Sequence, residues 1–150
     1  MIIRKYRETD INEIAKLFYN TVHDVNRSDY SEEQLNAWAS GNVNLESWNN
    51  SFLKNHTFVV EINGIITGFG DITTDGYLNM LYIHKNYQRQ GIATAICNEL
   101  EKSINVNKIS VHASITAKGF FEKKGYKVVK SQKVKRKGVY LKNYLMQKEI

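Results

Sequence analysis

Proline is absent from the 150 residues, and cysteine occurs once, as Cys97. A lone cysteine excludes an internal disulfide framework and a multi-cysteine zinc site. Its place on an apolar helical stripe suits a buried thiol better than a nucleophile. No Pro-rich or Gly/Ser-rich linker divides the chain, and there is no internal repeat. No stretch reaches the roughly 18 consecutive apolar residues that a membrane span requires. The opening Met1-Ile2-Ile3-Arg4-Lys5 lacks the apolar core of a signal peptide, so a cytoplasmic protein with no membrane partner is expected. Two phosphate-binding signatures are also missing, the Gly-x-x-x-x-Gly-Lys-Ser/Thr of nucleotide-hydrolysing loops and the Gly-x-Gly-x-x-Gly of dinucleotide folds.

What is present suffices for one core. A hydrophobic content of 42% over this length predicts a single domain covering residues 1–150. The net charge is +6 with a pI near 9.3, which favours anionic ligands without choosing between a polyanionic cofactor and nucleic acid. Positive charge gathers near the end, in Lys123, Lys124, Lys127, Lys130, Lys133, Lys135, Arg136 and Lys137, interleaved with Tyr126 and Tyr140. Such a stretch is either a nucleic-acid footprint or a solvated hairpin.

In chain order, residues 2–6 predict a strand. Thr9 or Asp10 would cap the next helix, with Glu13 placed to complete a capping box, and Ile11, Ile14, Leu17, Phe18, Val22 and Val25 give that helix an apolar stripe. Ser31 caps a second helix running to Trp38, and residues 45–53 predict a third short helical piece. Tyr19, Tyr30, Trp38 and Trp48 are either core or the wall of a pocket. Asn63-Gly64 between the strand patterns 57–62 and 65–72 signals a tight hairpin, and residues 77–84 extend it to a meander. A helix over 91–104, a strand over 108–113, a short helix over 116–124 stopped by Gly125 and a hairpin of 126–134 with 139–148 follow. The expected fold class is α/β (α+β): a mixed, mostly antiparallel central sheet with helices on both faces, in the order β-α-α-β-β-β-α-β-α-β-β.

Residues 81–94 hold the sharpest signal. Leu81-Tyr82-Ile83 ends a strand, while Ile92, Ala93, Ile96, Cys97 and Leu100 recur at helical spacing. Gly91 opens the helix with no side chain to keep a ligand off the backbone, so free N–H groups and the positive end of the helix dipole can hold a phosphate. Strand, turn and helix also make an ordinary connection, and the flanks must decide.

Within this stretch Gln88-x-x-Gly91-x-Ala93 is a form of an Arg/Gln-x-x-Gly-x-Gly/Ala signature. A second segment is Ala113-Ser114-x-Thr116-Ala117-x-x-Phe120-Phe121-Glu122-Lys123-x-Gly125-Tyr126. On these two motifs and the element order, the whole chain resembles the GNAT-superfamily N-acetyltransferases, with Lys85 where that family usually has proline. A narrower likeness, to YafP-type bacterial acetyltransferases, rests on Tyr30, Gln34 and Trp38 together with the second motif.

The resemblance implies acetyl-CoA as co-substrate, no metal, and acetyl transfer to a primary amine of a small molecule or protein in a ternary complex. Leu81, Tyr82 and Ile83 would pair with pantetheine like an added strand, and a backbone N–H near Leu81 or Tyr82 would stabilise the oxyanion. Gln88, Arg89, Gln90, Gly91, Ile92, Ala93 and Thr94 would hold the pyrophosphate, and the basic hairpin would attract the 3′-phosphate end. Ser114 would touch the cofactor arm or cap the following helix. The residues near Tyr77 and Asn79 include no carboxylate, so the candidate bases are Asp71, Asp75 and His112. The tyrosine that commonly protonates the departing thiolate stands here as Phe121, which cannot donate. That leaves Ser114, Tyr126, Tyr140, Tyr144 or solvent. Tyr30, Trp38, Trp48 and Tyr77 would wall the acceptor pocket, and a homodimer through the last strands is a family-level expectation. Phe121 also suggests a non-catalytic acyl-CoA-binding protein, and the basic end a nucleic-acid-binding module.

Overall fold

The computed structural model describes all 150 residues. Strand β1 (Ile2–Lys5) leads through a 3-10 turn into α1 (Ile11–Val25), α2 (Glu32–Trp38) and α3 (Leu45–Lys54). There follow β2 (His56–Ile62), β3 (Ile65–Ile72), β4 (Tyr77–Ile83), α4 (Ile92–Lys102), β5 (Lys108–Ser114), α5 (Lys118–Lys123), β6 (Lys127–Arg136) and β7 (Val139–Glu149). This is the expected order with one helix more. The third helical piece is a full element of ten residues, because Asn44 caps it by accepting the Ser47 N–H.

Caps differ from expectation at α1 only. Asp10 accepts the Arg7 N–H at 2.8 Å and binds Arg4 at 2.9 Å. Glu13 reaches away from its own helix to the Ile66 N–H at 2.9 Å and so ties α1 to the start of β3. At α2 the box forms as expected, Ser31 and Gln34 each accepting the other's backbone N–H.

The seven-stranded sheet runs β1-β2-β3-β4-β5-β7-β6, and only β4 and β5 are parallel. Alternation along each strand sends neighbours to opposite faces. Val59 and Phe69 join Ile14, Phe18, Val22, Leu35 and Phe52 under α1 to α3, whereas Val60, Ile72 and Leu78 join Ile92, Ile96 and Leu100 under α4. Helix α4 sits unusually close to β3. A Cβ on Gly68 would meet Ile83 at 2.7 Å, and one on Gly70 would meet Ile96 and the Met80 carbonyl, each at 2.9 Å. The thiol of Cys97 lies in this core, pushed up to about 12 by burial and by Glu101. No helix is long and apolar enough to cross a membrane.

One feature of the sheet positions everything that follows. β4 stays bound to β3 as far as Ile83 opposite Gly68, and β5 stays bound to β7 as far as Ser114 opposite Asn143. The two strands pair with each other only at Tyr77 with Ser110 and Leu78 with Val111. Beyond those pairs each follows its other neighbour and the sheet forks.

Candidate functional site

A cleft of about 670 Å³ opens in the fork. The His84 N–H pairs with the Thr67 carbonyl at 2.8 Å, so the alternation of a strand turns the N–H and C=O groups of Leu81 and Ile83 away from β3 and into the gap. Gln88 Nε2 donates to the Ile83 carbonyl at 2.6 Å and Thr21 Oγ1 donates to it at 3.1 Å. The open groups are therefore both backbone groups of Leu81 and the N–H of Ile83. Further along, Arg89 (φ 61°) and Gly91 (φ 80°) take left-handed conformations that turn the loop into α4. A Cβ on Gly91 would meet nothing within 4 Å. The first helical bond is made by the Ala95 N–H to the Gly91 carbonyl at 3.0 Å, which leaves the N–H groups of Ile92, Ala93 and Thr94 as the unpaired start of the helix. Arg89 adds a positive charge, no carboxylate lines the cleft, and Thr21, Val25 and Asn26 form its other wall.

On the α1 to α3 side of the sheet lies a cavity of about 460 Å³. Phe18, Tyr30, Trp38, Trp48, Tyr77 and Tyr82 supply aromatic walls, Asn79, His112, Ser114 and Asn143 supply polar groups, and Arg136, Lys137 and Lys142 stand around it. The walls are pinned. Trp38 Nε1 donates to the Tyr82 hydroxyl at 3.2 Å, and the Tyr30 hydroxyl donates to the Lys142 carbonyl at 2.6 Å while accepting the Ile115 N–H at 2.9 Å. Burial pushes the Tyr77 and Tyr82 hydroxyls above their ordinary values, so both stay protonated. The His112 imidazole is held below its ordinary value, first by loss of water and then by the charges of Arg136 and Lys130. It is therefore neutral at pH 7. Tyr82 and Ser114 border both the cavity and the cleft, with a hollow of about 60 Å³ at the fork between them.

A family model described as an acetyltransferase (GNAT) domain matches residues 26–149. The chain belongs to the GNAT family. The uncharacterized N-acetyltransferase YafP of Escherichia coli (strain K12) is 33% identical to it over 144 residues, covering 96% of this chain and 93% of YafP. Among solved structures, a GCN5-related N-acetyltransferase from Rhodopseudomonas palustris matches with a TM-score of 0.95 at 28% identity, covering 99% of this chain and 95% of the other. The PaiA N-acetyltransferase from Thermoplasma acidophilum, solved in complex with coenzyme A, shares the fold with a TM-score of 0.77 at 17% identity over 99% and 98% of the two chains.

Within this GNAT scaffold the expected cofactor residues divide. Leu81, Tyr82, Ile83, Gln88, Arg89, Gly91, Ile92, Ala93, Thr94 and Ser114 line the cleft, whereas Gln90 is exposed outside it. Gln88 spends its amide N–H on Ile83 and so shapes the loop. Phe121 is buried against Phe120 and Tyr126 and reaches the hollow at the fork, not the cleft. The basic hairpin, too, departs from expectation. Its strands run to Arg136 and from Val139 around Lys137-Gly138 alone, and its tip faces the cavity rather than the start of α4.

The catalytic candidates divide as well. His112 and Ser114 are at the cavity. Ser114 Oγ accepts the Ala117 N–H at 3.0 Å, which caps the turn into α5 and leaves its own O–H free to donate. Asp71 lies elsewhere. It is fully buried behind Asn79, accepting N–H groups from Asn55 at 2.9 Å and Asn79 at 3.1 Å, and burial raises its pKa. It holds Asn79 in place and cannot reach an amine in the cavity. Asp75 is bound to Thr73 in the turn before β4. Tyr126 donates to Glu101 at 2.8 Å in the core under α4, beside Lys148, and lines neither space. Tyr140 and Tyr144 line neither space either, since Tyr144 alternates to the face opposite Asn143. Sequence reasoning passed over Thr21 and Asn26 in the cleft, and over the Tyr82 side chain, Asn79 and Asn143 in the cavity. Only strand alternation in β4 and β7, anchored by a known register, would have found the last group.

Proposed function

We propose that this GNAT protein transfers the acetyl group of acetyl-CoA to a primary amine, the amine attacking the thioester while both ligands are bound. The observation that carries this is the meeting of cleft and cavity at Tyr82 and Ser114, where an acyl group entering from one side and an amine from the other come into contact. Pantetheine would pair with the open groups of Leu81 and Ile83. The pyrophosphate would sit on the N–H groups of Ile92 to Thr94 beside Arg89. The Leu81 N–H would face the thioester carbonyl and stabilise the oxyanion. Coenzyme A bound to PaiA in the same fold is consistent with this use.

A lysine-like amine of pKa about 10.4 is neutral in only about one part in a few thousand at pH 7, a cost of roughly 4.6 kcal/mol. His112, neutral and in the cavity, is the base assigned to receive that proton. The amine nitrogen then bonds to the carbonyl carbon and gives up its second proton as the carbon–sulfur bond breaks, and the thiolate takes up that proton, relayed by water or through the Ser114 hydroxyl, since Phe121 has none to give. Orientation alone supplies about 7 kcal/mol or more in well-aligned reactions.

Calorimetric titration with acetyl-CoA tests the first half, and absence of binding at millimolar ligand rejects the proposal. Release of free thiol in the presence of a broad amine panel tests the second. Phe121 favours one competing reading, a binding protein without catalysis. Tight acetyl-CoA binding with no thiol release from any amine would establish that reading instead.

A further inference from the structure

We infer that the acceptor is an amine that also carries an anionic group, a carboxylate or a phosphate, so that the cavity is built for a zwitterion and not for a polyamine or another purely cationic amine. The inference rests on the acetyl-transfer reading for the fate of the amine, but its charge argument stands on the cavity alone. Of the chain's 15 acidic residues none lines this space, whereas Arg136 and Lys137 do. Arg136 and Lys137 make no ion pair with any group of the protein, whose five ion pairs all lie elsewhere. Lys142 adds only backbone here: its carbonyl takes the Tyr30 hydroxyl, and its ammonium lies over the Tyr144 ring on the other face. Arg136 is solvent-exposed and lines the cavity from the hairpin tip. An unpaired guanidinium facing a walled space presents a fork of donors that matches a carboxylate or a phosphate.

The opposite pole is marked by a different kind of atom. Asn143 Oδ1 is the single buried side-chain polar atom of the protein without a hydrogen-bond partner. It is an acceptor with no donor, beside Ser114 in the strand register and hence next to the fork. A buried acceptor left unpaired is unfavourable, and an N–H of the incoming amine would satisfy it. Between the poles, Arg136 pairs with Val139, four residues along β7 from Asn143. At about 3.3 Å per residue that is roughly 13 Å of strand, part of which the arginine side chain spans. The ligand therefore places its amine at the fork, an aromatic or apolar body against Trp38 and Trp48, and its anion under the hairpin tip.

Trp38 and Trp48 are the only tryptophans of the chain and both line the cavity, so intrinsic fluorescence reports occupancy without any turnover. The experiment titrates the whole protein with two matched pairs, 4-(aminomethyl)benzoate against benzylamine and phosphoethanolamine against ethanolamine, and repeats both with Arg136→Gln. The expected result is that at least one anionic member binds tenfold or more tightly than its neutral-bodied partner. Which pair shows the larger gap identifies carboxylate or phosphate. Arg136→Gln should erase the gap while leaving the weaker partner's affinity unchanged. Equal binding within both pairs, tighter binding of benzylamine or ethanolamine, or a gap that survives Arg136→Gln overturns the inference. A parallel acetyl-CoA titration keeps the two readings apart. Loss of acetyl-CoA binding with the charge preference intact rejects the transferase reading alone, and normal acetyl-CoA binding with no charge preference rejects this inference alone.

Discussion

The cleft and the cavity meet at one tyrosine but are made of different materials. Most of the cleft comes from one stretch, residues 81–94, and it offers backbone: the free edge of β4 and the bare start of α4. The cavity draws on α1, α2, α3 and four strands, and it offers side chains. A backbone site is indifferent to most substitutions, whereas a site of side chains changes with each exchange at exposed positions such as His112, Arg136 and Lys137. That division lets one scaffold keep a common donor and vary the acceptor.

Four substitutions would break or sharpen the contrast. The largest effect is expected from Gly91→Glu, which puts a carboxylate on a left-handed residue where the pyrophosphate is proposed to sit. Like charges about 4 Å apart cost roughly 4 kcal/mol at an effective dielectric of 20, so calorimetry should show acetyl-CoA binding about 1000-fold weaker while the tryptophan response to amines is unchanged. If both responses fail together, the two spaces are not separable.

His112→Gln should do the reverse, lowering kcat by about 100-fold with no change in acetyl-CoA affinity. The wild-type kcat/KM should rise from acid pH as the imidazole loses its proton and level off by pH 7, because that pKa is held below its ordinary value. The limb should vanish in the variant. A limb that persists assigns the base elsewhere.

Gly70→Ala should cost about 1–3 kcal/mol by overpacking, since the new methyl would press on Ile96 and the Met80 carbonyl. Because the start of α4 lines the cleft, acetyl-CoA affinity should fall along with the denaturation midpoint while amine binding holds. The smallest effect is expected from Ser114→Ala, which removes the hydrogen bond from the Ala117 N–H that closes the turn before α5, for about 1 kcal/mol. Bordering both spaces, it alone of the four should weaken both ligands, each by a few-fold.

The contrast also explains what could be read in advance. Helix α4, the Asn63-Gly64 hairpin and the Gly91 turn declare themselves through local periodicity and local backbone need, so the cleft was legible nearly residue by residue. Tyr30, Trp38, Trp48 and Tyr77 were legible as pocket walls because a small domain has few other uses for them. Asp71 was not. The count along β3 gives its face, but a bulge in the facing strand, which pairs Asp71 with Met80 and Ile72 with Leu78, brings Asn79 against the carboxylate without any local sign. A second bulge, between Val128 and Lys130, breaks the two-residue count in β6 and hides the direction of the hairpin tip. Tyr126 and Glu13 were misread for a simpler reason. Their partners, Glu101 and Ile66, lie 25 and 53 residues away, beyond anything a local pattern encodes.

The fork has a mechanical side. With two pairs of residues joining β4 to β5, the seven strands amount to two smaller sheets stitched along a short seam, β1 to β4 on one side and β5, β7 and β6 on the other. A cofactor lying in the gap would extend that seam and become a strut of the fold. At 100 times its Kd it would stabilise the protein by about 2.7 kcal/mol. The gain would appear locally as slowed amide exchange at Leu81 and Ile83, the two residues whose hydrogen bonds the sheet leaves for a visitor to complete.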